Sequence, residues 1–190
     1  MNIIVDCDDV IIDLLSTWVK KLNKLYGTNV NKEDIKDWGL GKYFNLSEEQ
    51  LVAPLLDASL WDEVKPIKGA VKALESISKT NNVFIATATD YRNFEAKIEK
   101  ALTKYFPFIP VNNIVKCDNK SLLKADIIID DNLNNLMGDS NLKILFTRAH
   151  NECFTYKELR EKNIIRCNNW SEIQTIVEII EEQKERKDNG

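Results

Sequence analysis

The chain has 190 residues, with 26 Lys and Arg against 30 Asp and Glu, which gives a formal net charge of -4. This length suits one well-buried core, or one domain with a small insertion, but is short for two full domains. The basic residues are scattered along the sequence, so a nucleic-acid polymer is not expected as a partner.

Hydropathy and cysteine content favour a cytoplasmic protein. No apolar run approaches the roughly 18 residues that a transmembrane helix needs, and the chain enters its first strand with no basic leader. The four cysteines, at positions 7, 117, 153 and 167, show no CxxC spacing. Buried, reduced thiols are therefore expected. The lack of a long apolar run predicts that the protein has no membrane partner.

The first element is a short apolar strand, Asn2 to Val5, that runs directly into three carboxylates: Asp6, Asp8 and Asp9. Such a strand is typical of a parallel sheet that is buried on both faces. Two like charges at its end are costly unless a cation or a shared proton relieves them. A simpler interpretation is that one of these aspartates caps the following helix, but a cap needs only one carboxylate.

A helical segment follows the first strand and replaces the simple connection expected between parallel strands. An amphipathic helix runs from about Ile11 to Leu25 and ends at Gly27, and further helices are predicted at 32–37, after the Ser47–Gln50 capping box, and at 69–79. The second strand, Val83–Thr87, comes only after roughly 75 residues, far more than a crossover needs. We therefore predict a helical insertion over about residues 14–66, within a single domain that spans residues 1–190.

The remainder of the chain alternates helices and strands, which indicates an α/β fold with a parallel sheet. A helix is predicted from about Tyr91 to Tyr105, and a last helix begins with a cap at Ser171 and frays from Lys184. The predicted strands of this part lie at 113–116, 126–131, 142–147 and 163–167.

Polar side chains follow the first, second and third buried strands, and a lysine precedes the third. The carboxyl ends of parallel strands meet at one sheet edge, where open α/β sheets bind ligands. Carboxylates suit a hard cation such as Mg²⁺, while a hydroxyl and an ammonium suit the oxygens of a phosphoryl group. The residues concerned are Asp6, Asp8, Thr87, Lys120, Asp130 and Asp131.

In order and spacing these residues resemble motifs one to four of the haloacid dehalogenase superfamily of phosphohydrolases. Within that superfamily the chain is similar to the 5'(3')-deoxyribonucleotidases through Asp6 to Asp13 (DCDDVIID), Val83 to Thr87 (VFIAT), Lys120 to Asp131 (KSLLKADIIIDD) and Pro66 to Val71 (PIKGAV). The resemblance implies a Rossmann-like three-layer parallel sheet with a small helical cap inserted after the first strand.

The resemblance also implies a role for each motif residue. Asp6 would be the nucleophile that forms an aspartyl phosphate, and Asp8 the general acid and base. Thr87 and Lys120 would bind phosphoryl oxygens. The ligands of Mg²⁺ would be Asp6, the backbone carbonyl of Asp8 and Asp130, with Asp131 assisting. The expected activity is the release of phosphate from (deoxy)ribonucleoside monophosphates, in a monomer or a homodimer.

Aromatic residues in the insertion are candidates for stacking on a base. Trp38 and Trp61 are the main candidates, with Tyr43 and Phe44 behind them, although aromatic residues in such a segment more often form its core. His150, the only histidine, is expected in a surface loop.

Three alternatives stay open. Asp9 stands where the deoxyribonucleotidases usually carry Gly, which weakens the assignment to that subgroup. Another small phosphorylated metabolite is therefore a second candidate substrate. A receiver-type signalling domain has similar residues but places its lysine after the last acid. A non-enzymatic metal or phosphate binder on the same fold is the third alternative.

Overall fold

A computed structural model describes residues 1–37 and 39–188. Its centre is a six-stranded, fully parallel sheet with the strand order β3-β2-β1-β4-β5-β6. The strands are β1 (Asn2–Asp6), β2 (Asn82–Thr87), β3 (Ile114–Lys116), β4 (Ile127–Asp130), β5 (Leu142–Phe146) and β6 (Ile164–Cys167). The predicted parallel α/β sheet is thus confirmed.

Helices cover both faces of the sheet. They are α1 (Leu14–Tyr26), α2 (Gly41–Phe44), α3 (Glu48–Val52), α4 (Leu60–Glu63), α5 (Ala70–Ile77), α6 (Tyr91–Lys97), α7 (Thr103–Tyr105), α8 (Tyr156–Glu161) and α9 (Trp170–Asp188). Short 3₁₀ turns lie at Lys32–Asp34, Ala53–Leu56, Val111–Asn113, Lys120–Leu122, Leu133–Met137 and Ala149–Asn151. In the part of the chain that the structure describes, no helix is both long and apolar enough to cross a membrane.

The two central strands explain why their sequences are continuously apolar. Ile3 and Val5 of β1 pack into the main core with α5 and α9, and so do Ile127 and Ile129 of β4. Ile128, between them, faces the opposite side and packs toward α8. Because both faces are covered, every residue of β4 is buried, and the Rossmann-like three-layer arrangement follows.

The segment between β1 and α5 begins and ends at one place. The Asp13 amide donates to the Lys65 carbonyl and the Ile67 amide donates to the Ile11 carbonyl, both at 2.8 Å. Between these points α1, α2 and α3 pack a small core of their own, formed by Leu15, Val19, Leu22, Ile35, Leu40, Phe44 and Leu51. The division into a main body and an insertion at 14–66 stays a prediction.

Two helix predictions were wrong in detail. The helix expected at 32–37 is only the 3₁₀ turn Lys32–Asp34, since Ile35 is already extended. Ser171 does not cap the last helix, because Asn169 does so by accepting a hydrogen bond from the Glu172 amide at 3.0 Å. That helix also continues to Asp188 rather than fraying from Lys184.

The helix predicted at 91–105 is present, but it changes pitch. After α6 the turn Ile98–Leu102 is a π-helix, and α7 completes the element. Such wide turns are rare and often mark functional positions. The widened turn begins directly after Lys97, the last residue of α6.

The four thiols are free, as expected. Cys7 and Cys167 are buried, Cys117 is half-buried and Cys153 is exposed, so the expectation of burial was wrong for Cys153.

Candidate active site

The carboxyl ends of β1, β2 and β4 bring the predicted residues together. Asp6 ends β1 opposite Ala86, so Thr87 lies one residue further along the neighbouring strand. Asp130 ends β4 on the other side of β1. All three are buried, with 5% of Asp6 exposed and none of Thr87 or Asp130. The register therefore confirms that these residues share one sheet edge.

A tight loop after β1 directs Asp8 and Asp9 to different places. The Cys7 carbonyl accepts hydrogen bonds from the Ile11 and Ile12 amides at 3.0 and 3.1 Å, and Asp9 takes a left-handed backbone with φ 58°. Asp9 is 3% exposed, and its carboxylate accepts a hydrogen bond from the Leu15 amide at 3.2 Å. The N-cap of α1 is Asp13, whose carboxylate accepts from the Ser16 amide at 3.3 Å, and Asp9 adds an acceptor for the Leu15 amide in the same turn. The simpler interpretation therefore holds for Asp9 only as a second acceptor beside the N-cap.

Two distant side chains hold the outer part of this loop. Arg148 Nε donates to the Asp9 carbonyl at 2.5 Å, and Trp170 Nε1 donates to the Val10 carbonyl at 2.9 Å. Both donors come from the far half of the chain. The loop is therefore fixed by tertiary hydrogen bonds that no local pattern predicts.

Three carboxylates form a cluster with the geometry of a cation site. Asp6, Asp130 and Asp131 each offer an oxygen, and these atoms all lie within 4.8 Å of one another. Burial raises the pKa of all three carboxyls, and their mutual repulsion raises those of Asp6 and Asp131 further. Asp131 Oδ2 is buried and has no hydrogen-bond partner among the described residues. A hard divalent cation fits this donor set, because oxygen ligands and negative charge are what it requires.

Lys120 lies beside this cluster on the 3₁₀ turn Lys120–Leu122. It is 4% exposed, and its Nζ lies 2.5 Å from Asp6 Oδ1 and 3.3 Å from Asp130 Oδ2. Although burial lowers it, the neighbouring carboxylates raise the pKa of Lys120 above its ordinary value. The turn packs closely on Gly138, where a Cβ would overlap the Ser121 carbonyl.

Lys97 is a site residue that the sequence analysis missed. It is the last residue of α6, it is fully buried, and its Nζ lies 2.7 Å from both carboxylate oxygens of Asp8. It also donates to Thr87 Oγ1 at 2.6 Å. A signal was present in the sequence, because Lys97 falls three residues after Phe94 and four before Ala101, in the middle of an apolar helix face.

Two asparagines that the sequence did not single out hold the end of β4. Asn135 Nδ2 donates to both oxygens of Asp130 at 3.0 Å. Asn151 Nδ2 donates at 2.8 Å to the carbonyl of Asp131 and also to that of Phe146, which joins the ends of β4 and β5. Asn135 thus fixes the Asp130 carboxylate, and Asn151 fixes the backbone that carries Asp131, both without adding charge.

The surface position predicted for His150 was wrong. Its side chain is only 11% exposed, and Nε2 lies 3.1 Å from the Asp131 carbonyl and 3.4 Å from Asp131 Oδ2. Burial lowers the pKa of His150 below its ordinary value. The residue therefore belongs to the surroundings of the carboxylate cluster.

A cavity of about 280 Å³ opens over these groups. Asp6, Asp8 and Lys120 lie at its floor, and Leu14 and Trp18 of α1 form an apolar part of its wall. The remaining lining residues are polar or small: Asp9, Ala88, Asp118, Asp131, Asn132 and Asn135. The cavity thus combines a charged floor suited to a phosphoryl group with an apolar wall suited to an organic group.

The predicted aromatic contacts came out differently. Trp61 is 2% exposed and packs in the main core, so its ring is closed to a base in this structure, and the stacking prediction for it was wrong. Phe44 is likewise buried in the small core of the insertion. Trp38 lies outside the described residues. Among the residues that the structure describes, Trp18 of α1 is the aromatic residue that lines the cavity.

Comparison with known sequences gives one consistent family. Residues 1–184 match a family model described as 5' nucleotidase, deoxy (pyrimidine), cytosolic type C protein. The chain is 38% identical over 174 residues to a 5'(3')-deoxyribonucleotidase of Bacillus subtilis strain 168, covering 90% of this chain and 95% of that protein. It is 31% identical over 181 residues to a 5'(3')-deoxyribonucleotidase of Clostridium acetobutylicum, covering 94% and 95%.

Solved structures resemble the fold at low sequence identity. A haloacid dehalogenase-like hydrolase from Streptococcus pneumoniae matches with a TM-score of 0.61 and 16% identity, covering 92% of this chain and 97% of that chain. A haloacid dehalogenase family hydrolase from Deinococcus radiodurans, with bound phosphate and sodium, matches with a TM-score of 0.59 and 11% identity, covering 90% and 92%. These likenesses support the predicted sheet architecture.

Proposed function

The chain belongs to the 5' nucleotidase, deoxy (pyrimidine), cytosolic type C protein family, and from that premise we propose a Mg²⁺-dependent nucleotidase that works through an aspartyl phosphate on Asp6. Membership makes the protein a phosphatase of the haloacid dehalogenase superfamily that acts on a small nucleotide. The metal, the intermediate and the residue roles are the proposal.

The observation that carries the proposal is the different placement of Asp6 and Asp8. Asp6 lies in the buried carboxylate cluster beside Lys120, whereas the side chain of Asp8 is 19% exposed at the cavity and outside that cluster. A nucleophile needs a fixed position close to charge-neutralising groups, and a general acid needs to reach the leaving oxygen. Asp6 suits the first task and Asp8 the second.

The proposed reaction has two steps. A carboxylate oxygen of Asp6 attacks phosphorus, the ester P–O bond breaks, and Asp8 gives its proton to the nucleoside oxygen that leaves. Water then attacks phosphorus, Asp8 takes a proton from that water, and the Asp6 carboxylate is released together with inorganic phosphate. Two low barriers replace one high barrier, which is the advantage of a covalent intermediate.

The remaining residues bind phosphate and metal. Lys120 and the Thr87 hydroxyl are proposed to contact phosphoryl oxygens, because both lie at the sheet edge beside Asp6 and Asp8. Asp6, Asp130, Asp131 and the Asp8 carbonyl are proposed to hold Mg²⁺. When bound, Mg²⁺ supplies positive charge that offsets the carboxylates and the phosphate dianion.

The nucleoside is proposed to lie against Leu14 and Trp18. Trp18 Nε1 donates to the Leu51 carbonyl at 2.7 Å, which fixes the ring at the cavity wall. A flat apolar surface above a phosphate site can stack on a base, and every base offers a π face. This assignment replaces the one expected for Trp61.

The central test is Asp6→Asn, measured as phosphate release from a deoxyribonucleoside monophosphate. The amide keeps the size of the side chain but is not an anionic nucleophile, so we expect activity to disappear while the thermal melting curve is retained. Asp126→Asn is the matched control, because that carboxylate lies at the opposite end of β4 beside the Asn2 amide. Turnover near the parent rate in Asp6→Asn would remove Asp6 from the mechanism.

The substrate class is tested by a screen of nucleoside monophosphates against sugar phosphates with Mg²⁺. We expect the highest kcat/KM with a deoxyribonucleoside monophosphate. A preference for sugar phosphates would favour the alternative of another small phosphorylated metabolite. The homodimer stays a prediction.

A further inference from the structure

We propose that Lys97 is a positioning residue that fixes the carboxylate of Asp8 toward the leaving oxygen, and that Trp61 acts by holding Lys97 in place. The proposal rests on the role proposed above for Asp8. It assigns a function to two residues that make no contact with the cavity in this structure.

The contacts of Lys97 use all of its hydrogen-bonding capacity. A lysine ammonium has three N–H donors, and three acceptors surround it: Asp8 Oδ1 and Oδ2 at 2.7 Å and Thr87 Oγ1 at 2.6 Å. The Lys97 side chain is 0% exposed, so water does not compete for these bonds. Both oxygens of Asp8 are therefore tied to one fixed cation.

Asp6 and Asp8 each pair with a different lysine. Lys120 pairs with Asp6 and Asp130, inside the carboxylate cluster, whereas Lys97 pairs with Asp8, outside it. Without Lys97, the Asp8 carboxylate would be free to turn elsewhere, including toward a cation held by the cluster. Lys97 thus keeps the general acid apart from the metal ligands.

Trp61 completes the surroundings of Lys97. The Lys97 Nζ lies 4.9 Å from the centroid of the Trp61 ring, which is the geometry of a cation–π contact. Trp61 is buried, and its Nε1 has no hydrogen-bond partner among the described residues, so its polar group does not explain its position. Trp61 belongs to α4, and through Lys97 it connects that helix to Asp8.

The test uses the leaving group to separate positioning from folding. A nucleoside alkoxide needs a proton from Asp8 as it leaves, whereas p-nitrophenolate leaves without one. The kinetic constant to compare is kcat/KM. It depends on the steps up to departure of the leaving group, and it does not depend on the later hydrolysis of the intermediate. Lys97→Met should therefore lower kcat/KM for a deoxyribonucleoside monophosphate far more than for p-nitrophenyl phosphate.

General acid catalysis accelerates a reaction by about 10²- to 10⁴-fold. We therefore expect Lys97→Met to lower kcat/KM on the order of 10²-fold for the nucleotide and less than about tenfold for p-nitrophenyl phosphate. Lys100→Met is the matched control, since Lys100 lies in the adjacent π turn and pairs with the exposed Asp62. It should change neither value. Mn²⁺ affinity, measured by calorimetry, should stay unchanged in Lys97→Met, because no residue of the carboxylate cluster is altered.

Trp61 is tested by a pair of substitutions. Trp61→Phe keeps an aromatic face and should retain most of the nucleotide activity, whereas Trp61→Leu should reproduce the selective loss seen with Lys97→Met. Because Trp61 acts through Lys97, the double variant Trp61→Leu with Lys97→Met should lose no more than Lys97→Met alone.

Equal losses on both substrates in Lys97→Met, or loss of both activities together with Mn²⁺ binding, would make Lys97 a residue of the fold and overturn the proposal. Additive losses in the double variant would overturn the link to Trp61. A parent protein that hydrolyses p-nitrophenyl phosphate but no nucleotide would instead contradict the proposed function. In that case the substrate comparison is made with an alkyl phosphate that the parent accepts.

Discussion

Replacing Asp9 by asparagine should stabilise the metal-free protein, by an amount that depends on pH. Burial, followed by repulsion from Asp8, raises the pKa of Asp9 from its usual 3.8 to about 7. The folded state therefore resists ionisation of Asp9, while the unfolded state ionises freely above pH 3.8. Asparagine keeps the size of the side chain and an acceptor for the Leu15 amide, but it has no charge to bury.

The magnitude follows from the size of the pKa shift. Each pKa unit is worth about 1.36 kcal/mol, so a shift of about three units corresponds to about 4 kcal/mol. Because the folded-state pKa is raised, the stability that protonated Asp9 supports is fully present below pH 3.8 and is lost as pH rises to about 7. The advantage of Asp9→Asn should therefore be near zero at pH 3.5, grow by about 1.4 kcal/mol per unit between pH 4 and 7, and stay constant above that.

Two further variants separate charge from backbone strain. Asp9→Gly also removes the strain of the left-handed backbone, worth about 1 to 2 kcal/mol, but loses a hydrogen bond worth about 0.5 to 1.5 kcal/mol. The free energies of unfolding of Asp9→Gly and Asp9→Asn should therefore agree to within about 1 kcal/mol at every pH, since the relief of strain and the lost hydrogen bond nearly cancel. Asn163→Gly is the control, because Asn163 is also left-handed, with φ 56°, and carries no charge.

The assay is urea denaturation in EDTA at a series of pH values, with the free energy of unfolding taken from each curve. Asn163→Gly should shift stability by the same amount at all pH values. A difference between Asp9→Asn and the parent that does not change from pH 4 to 8 would refute the assignment of a buried, titrating carboxyl at this position.

Three other outcomes are expected. EDTA should abolish phosphate release and added Mg²⁺ should restore it, so full activity in metal-free buffer would contradict the cation assigned to the carboxylate cluster. Trp18→Ala should weaken nucleotide use by about 1 to 3 kcal/mol in kcat/KM and leave p-nitrophenyl phosphate nearly unaffected, whereas parallel losses would assign Trp18 to packing alone. Gly138→Ala should lower activity, because its Cβ would overlap the Ser121 carbonyl and displace the turn that carries Lys120. Gly41→Ala is its control, since the nearest atoms to a Cβ there are at 3.6 Å, and equal activity in both variants would show that the Lys120 turn tolerates movement.

The sheet and its functional edge were predictable because both come from strong, short-range patterns. Runs such as Ile127–Ile129 are too apolar to be exposed on either face, and parallel strands place their carboxyl ends together whatever lies between them. The resemblance to the family motifs then links the residue after each strand to an expected role. This is why the sequence alone predicts the positions of Asp6, Thr87 and Asp130.

The insertion was less predictable because its contacts are made over long distances. The pattern on α1 marks Trp18 as one member of an apolar face. The long-range hydrogen bond from its Nε1 to the Leu51 carbonyl, which no local pattern predicts, fixes its ring at the cavity wall. An aromatic residue in such a segment can either stack on a base or pack in the core, and the sequence does not distinguish the two roles. In the structure Trp61 is buried in the core. Lys97 was overlooked because a lone lysine in a helix is usually solvated.

The burial of Cys7 between Asp6 and Asp8 turns this thiol into an internal reporter of unfolding. Cys7 is 0% exposed, and burial raises its pKa far above the ordinary value, so in the native protein it presents almost no thiolate to an alkylating reagent. Cys153 is exposed and should be alkylated in the folded state without loss of activity. Modification of Cys7 should instead proceed at the rate at which the centre of the sheet opens, and a nucleotide or metal ion that binds above it should slow that modification in proportion to its occupancy.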